Sequence, residues 1–288
     1  MRRHTLHSAL LLVLGLLAGT PAPCSTQPLV FVSIAPQAFF VEQIAGELVR
    51  VEVLVPPGAS PATYEPTPRQ MAALEHADLY LRIGVPFEGP LLQKVATLMP
   101  DLEISDCRRG VDLVPMEETA ATQGTAHPDP HIWLDPVRAK TIASTTADIL
   151  GELLPEARPT LDHNLDTLQL ELDRVNSRIT ALLAPYAGRE VLVFHPAFGY
   201  FTRRYGLRQL AVEAEGKAPS ARQLAAFVES LEGSGQKAVF AQPQFSTNAA
   251  RTVADVLGCE VVELDPLSEN YLNNLETMAE RIAGVLGG

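Results

Sequence analysis

Three short stretches carry residue types that bind metals. His131 lies in DPHIWLDP, His195 in VLVFHPAFGYF and Asp265 in ELDPL. A lone histidine is more often a satisfied structural residue, and an aspartate before proline reads equally well as a helix cap or turn former. Two imidazoles and a carboxylate together are a donor set for a borderline divalent ion such as zinc. His127 lies four residues before His131 in GTAHPDPH, but Pro128 and Pro130 exclude a helix there, so the two need not share a face. His76 and His163 fall on exposed faces of expected helices and receive no role. A fourth stretch, GASPATYEPTPRQM over residues 58–71, is polar and stiffened by proline, yet holds an unadorned alanine, Ala62, at its centre.

These residues need elements to position them. Short, continuous apolar runs occur at 30–34, 51–55, 79–83, 191–194, 210–212, 238–241 and 261–264. Runs of this kind, separated by helical patterns, read as parallel strands covered on both faces. Helices are expected over 36–48, 68–77, 88–99, 136–153, 220–231, 247–257 and 269–285, several with proline at the start. Ligands of such folds sit at the C-terminal ends of the strands. His195 and Asp265 each follow a strand directly, and the 58–68 loop follows the run ending at Val55.

Between the two groups of strands, Leu161, Leu165, Leu168, Leu172, Val175, Ile179 and Leu182 recur at spacings of four and three. This stripe predicts a helix about 37 Å long. A coiled-coil seam would look similar, but the stretch lacks the dense flanking charge pairs of a zipper. The expected fold class is α/β, with two lobes, each a small mainly parallel sheet flanked by helices, joined by one long rigid helix. The boundaries are 1–24 for a signal peptide, 28–157 for the N-terminal lobe, 158–185 for the linking helix and 188–288 for the C-terminal lobe.

The chain has 288 residues, 47% of them hydrophobic, and a formal charge of −12. That charge argues against nucleic acid or an anionic membrane surface as partner. Arg2, Arg3 and the apolar run 9–18 form a secretory signal, too short to span a bilayer. The mature protein is therefore expected in the periplasm or otherwise outside the cytoplasm. A lipid anchor at Cys24 is the weaker alternative, because Pro21, Ala22 and Pro23 before it match a lipoprotein signal poorly. Cys107 and Cys259 fall in different halves and are read as two unpaired, buried thiols. No P-loop is present, so this chain is not expected to bind ATP.

The stretches GASPATYEPTPRQMAALEHADLYLRIG, DPHIWLDP, VLVFHPAFGYFTRRYG, EGKAPS, FAQPQFS and LDPL resemble, in order, the metal-binding solute-binding proteins of zinc/manganese-type ABC transporters. The resemblance covers nearly the whole mature chain. It implies two α/β lobes bridged by one helix, and no enzymatic activity. It also implies capture of a divalent transition metal, zinc first with Mn2+ or Fe2+ as alternatives, and delivery to an ABC permease with its ATPase. By the same resemblance His131, His195 and Asp265 are metal ligands, and the imidazole at 195 leans toward zinc. The family's first ligand, a histidine in the 58–68 loop, is replaced by Ala62. The gap could be filled by His127, by Glu65 or by water. Otherwise the site has turned to a metal complex or another ligand. Asp135, Glu213 and Glu215 are candidate partners for the imidazoles, and Glu65 could instead hold its loop by hydrogen bonds. The rival reading is a zinc hydrolase with two histidines, one aspartate and an open fourth position. A third is a surface adhesin that keeps the fold.

Overall fold

Among the described residues eight short strands form two parallel sheets, and their sequences explain which strands lie inside. The structure, a computed structural model, describes residues 27–116, 127–213, 221–231, 235–245 and 247–288. The signal segment, Cys24 and Glu215 lie outside these residues. In the N-terminal lobe, β1 (Leu29–Val32), β2 (Arg50–Val53), β3 (Leu79–Arg82) and β4 (Ile104–Asp106) are ordered β2-β1-β3-β4. β1 reads LVFV with every residue buried, as a strand covered on both faces must. At the edge β2 reads RVEV and is only partly covered. α1 (Ala35–Ala45), α2 (Pro68–Leu74), α3 (Glu88–Leu98) and α4 (Pro136–Leu153) complete this lobe.

The C-terminal lobe repeats the arrangement. β5 (Glu190–Val193), β6 (Arg208–Ala211), β7 (Ala238–Ala241) and β8 (Glu260–Glu263) are ordered β6-β5-β7-β8, all parallel. α6 (Gly199–Arg204), α7 (Ala221–Ser230), α8 (Thr247–Leu257) and α9 (Tyr271–Gly287) accompany them. Two elements have no counterpart in the sequence reading. β4 is three residues, ISD, with no apolar run, and α6 is too short for a helical period to emerge.

α5 (Arg158–Leu183) is the long helix between the lobes. Its stripe packs against α4, α1 and α9, so it is covered within the chain and is not a dimer seam. Leu161, Leu168, Leu172 and Ile179 are almost wholly buried, each stabilising by about 1.5–3 kcal/mol. The last expected member is displaced: Leu182 is exposed and Leu183 takes its place inside. A 3.5-residue sequence repeat drifts by about 20° per heptad around a straight 3.6-residue helix, and by the end of the stripe the next residue faces inward.

The lobes also touch directly. Tyr271, the first residue of α9, packs its ring against Phe39 and Phe40 of α1, with centroids 5.2 and 5.0 Å away. Among the described residues no helix is long and apolar enough to cross a membrane.

Candidate metal site

In each sheet the strand order reverses once, between β1 and β3 and between β5 and β7. Such switch points open a crevice at the strand C-termini. His195 follows β5, Gln242 follows β7, Glu213 lies just beyond β6, and Asp265 follows β8.

His195 is nearly buried, and its neighbours fix it completely. Gln242 brackets its backbone, accepting from the His195 N–H at 3.2 Å and donating from Nε2 to the His195 carbonyl at 2.9 Å. His195 Nδ1 lies 2.6 Å from Glu213 Oε2. A carboxylate only accepts, so Nδ1 carries the proton and Nε2 keeps a lone pair. The Phe245 ring stacks on the imidazole at 4.5 Å. Burial, the largest influence, lowers the His195 pKa, the nearby His131 adds to that, and the hydrogen bond to Glu213 opposes it. The outcome is a neutral imidazole, the form that binds metal.

His131 sits at the end of the proline-lined strap that leads to α4. Asp129 folds back on it, its Oδ1 accepting from the His131 backbone N–H at 3.0 Å and from Nδ1 at 2.8 Å. Nε2 is again the free nitrogen. Asp135, the next carboxylate along, has a different task. It caps α4 by accepting from the Val137 N–H at 2.9 Å and pairs with Arg138 at 2.5 Å. Of the expected partners, Glu213 meets an imidazole and Asp135 does not, while Glu215 lies outside the described residues; Asp129, given no role from the sequence, is the second imidazole partner. The signal available for Asp129 was its spacing: an aspartate two residues before a histidine can turn back on that residue's backbone.

The two imidazole rings, contributed by different lobes, lie 5.5 Å apart between centroids. Asp265 approaches from β8 and lines a cavity of 390 Å³ between the lobes, with Val55, Gly58, Gln244, Glu269 and Asn270. Asp265 Oδ1 accepts from Gln244 Nε2 at 2.7 Å and from the Leu267 N–H at 2.9 Å. Among the described residues, no three His, Cys, Asp or Glu side chains are arranged as a group that could hold a metal ion. The structure brings the imidazoles together without closing a three-donor cage around Asp265.

Ala62 lines a different cavity, of 230 Å³, beside Tyr64, Glu65, Phe87 and Lys94. Its loop is held by Gln70, which accepts from the Tyr64 hydroxyl at 2.6 Å and from the Thr67 N–H at 2.9 Å, and donates to the Leu54 carbonyl at 2.6 Å. Glu65, suggested by the sequence for that role, is exposed. His127 is exposed too, and its carbonyl accepts from the Met116 N–H.

A solved structure described as a crystal structure of ZnuA is 39% identical to this chain, with a TM-score of 0.83, covering 91% of this chain and 100% of that one. The high-affinity zinc uptake system protein ZnuA of Yersinia pestis is 29% identical over 89% of this chain and 91% of its own. A putative metal-binding protein of Chlamydia trachomatis serovar D is 27% identical over 96% and 98% of the two chains. The model of the family described as zinc-uptake complex component A, periplasmic, matches residues 30–285, and the chain belongs to that family.

Proposed function

We propose that this chain is the extracytoplasmic binding component of an ABC importer, and that it captures zinc through His131, His195 and Asp265 in the inter-lobe cleft. Its family consists of solute-binding components of such transporters, not of enzymes, which removes the hydrolase reading. One observation carries the site assignment. Each of the three residues has one donor atom occupied by a partner inside the protein, and the other has no partner among the described residues: Nε2 of both histidines and Oδ2 of Asp265. Side chains held for packing alone have no reason to be left in that state together. Asp129 and Glu213 fix the tautomer and make the free nitrogens more basic, as carboxylates behind metal-bound imidazoles do.

The fourth position, without a histidine at 62, is assigned to water. The exposure of both His127 and Glu65 favours this over either side chain. The division into 28–157, 158–185 and 188–288, with 1–24 removed on export, belongs to the same proposal. So does delivery to a permease and its ATPase.

A second reading, zinc carried together with a small chelating co-ligand, is favoured by the 390 Å³ cavity beside Asp265, which is far larger than an ion needs. Calorimetric titration of the metal-stripped protein with Zn2+ and Mn2+, beside His131→Ala, His195→Ala and Ala62→His, tests both. One-to-one zinc binding lost in the alanine variants supports the site. Zinc binding untouched by either alanine refutes it. Weak zinc binding that Ala62→His strengthens strongly points to the co-ligand.

A further inference from the structure

The segment 242–245, Gln-Pro-Gln-Phe, joins β7 to the region before α8 and reaches residues on two other strand ends. Gln242 grips the backbone of His195 and Phe245 covers its ring. Gln244 reaches the other way, to Asp265. A carboxylate can only accept, so the amide group facing it must be the NH2, which places Gln244 Oε1 on the far side. That oxygen is buried and has no hydrogen-bond partner among the described residues. Among the described residues the amide is therefore held in this orientation by Asp265 and by no group on its other side.

Both hydrogen bonds to the Asp265 side chain, from Gln244 Nε2 and from the Leu267 N–H, end on Oδ1. A carboxylate oxygen has two lone-pair sites, and the two donors fill both. Oδ2 has no partner among the described residues. Leu267 cannot be relieved of its role, because its N–H belongs to the backbone turn after β8. Gln244 is the donor that a single substitution removes.

We propose that Gln244 is a specificity-determining positioning residue: by filling the second lone pair of Asp265 Oδ1 it restricts Asp265 to binding metal through Oδ2 alone. The proposal rests on the reading of Asp265 as a ligand. A carboxylate that binds through one oxygen, combined with two imidazoles, suits the four-coordinate preference of zinc. A carboxylate free to bind through both oxygens adds an anionic oxygen and a coordination position, which suits the higher, oxygen-rich coordination of manganese. The selectivity of the site is then set by a residue that does not touch the metal.

The test uses the metal-stripped mature protein and three variants. Gln244→Met keeps the length of the side chain without a donor, Gln244→Ala removes it, and Asp265→Ala removes the acceptor. Zinc and manganese affinities are measured by competition with a chromophoric chelator, and bound Co2+ reports coordination number through the intensity of its visible absorption. Melting of each stripped variant separates misfolding from a change at the site. In both Gln244 variants the zinc-over-manganese preference is expected to fall by about tenfold or more, with weaker cobalt absorption and unchanged melting. A preference and cobalt spectrum equal to the parent's in Gln244→Met and Gln244→Ala, with Asp265→Ala weakening zinc, overturns the proposal and leaves the site assignment standing. If Asp265→Ala changes neither zinc affinity nor the cobalt spectrum, Asp265 is not a ligand, and both readings fall. A fall in preference confined to Gln244→Ala, with lowered melting, marks a packing role and also overturns it.

Discussion

Trp133 donates its indole N–H to the carbonyl of Pro266 at 2.7 Å, tying a residue two positions after His131 to the immediate neighbour of Asp265. The Tyr271 hydroxyl closes the link in the other direction by donating to the Trp133 carbonyl. Trp133 and Tyr271 are both fully buried, and the Tyr271 ring is lodged against Phe39 and Phe40. The two lobes therefore meet through a hydrogen-bonded aromatic seam placed directly behind the candidate ligands. Lobe separation would strand the indole N–H and the buried Pro266 carbonyl together.

Trp133→Phe keeps an aromatic ring in the seam and removes the donor. The unpaired Pro266 carbonyl is expected to cost about 1–3 kcal/mol, lowering Tm by roughly 2–10 °C. Zinc affinity should weaken as well, because the carbonyl adjoins Asp265. Calorimetric melting and metal titration of the variant check this, and a Tm equal to the parent's would show that the seam is held by packing alone.

Glu213→Gln leaves an oxygen that can still accept from His195 Nδ1 but takes away the charge behind the imidazole. Zinc affinity is expected to fall by about 10–100-fold, with one-to-one stoichiometry kept. The same direction is expected of Asp129→Asn at His131. Competition against a chelator measures both. Unaltered affinity in each would show that the carboxylates serve the fold and not the metal.

Burial moves the His195 pKa downward, so its imidazole resists protonation as the medium acidifies. An ordinary histidine, with a pKa near 6.5, is about three-quarters protonated at pH 6. His195 in the metal-free protein is expected to be less protonated there than an ordinary histidine, with the neutral form carrying its proton on Nδ1. The sign for stability follows: a lowered folded-state pKa contributes stability that is complete above about pH 6.5 and is lost as pH falls toward the folded value. Nitrogen-15 NMR of the imidazole across pH 5–8 decides it, since titration at or above 6.5 would contradict the burial argument.

Cys107 is fully enclosed, and burial pushes its thiol up to about 12. Its sulfur accepts from Thr146 Oγ1 and Gln37 Nε2, which does not offset that. Cys259 is half-buried and its pKa is raised by the same cause. In the native protein Cys107 should stay unlabelled by iodoacetamide at neutral pH and react only after unfolding. Mass spectrometry of labelled peptides, with and without denaturant, reads this directly, and rapid native labelling at Cys107 would mean that the N-terminal lobe opens locally.

Local pattern carried much of the fold. Runs such as LVFV and AVFA are continuous because both faces of a parallel sheet are covered, so each strand announces itself without reference to its neighbours. The α5 stripe is a property of one helix and is legible for the same reason, up to Leu182, where geometric drift shifted burial to Leu183. His195 and Asp265 could be placed at strand ends because the strands before them were visible. β4 was not, since ISD has the composition of a loop and becomes a strand only by pairing with β3.

The sequence by itself determined the residue types of the candidate site, the strand ends that present them, and the absence of an imidazole at Ala62. Only the tertiary structure decided which atoms remain free. Glu213 reaches His195 because β6 lies beside β5, and Gln244 reaches Asp265 because β7 lies beside β8. Trp133 finds Pro266 across 133 positions of chain. Partners so distant leave no periodic trace in sequence, because hydrogen bonding depends on distances near 3 Å that strand order and lobe packing alone establish.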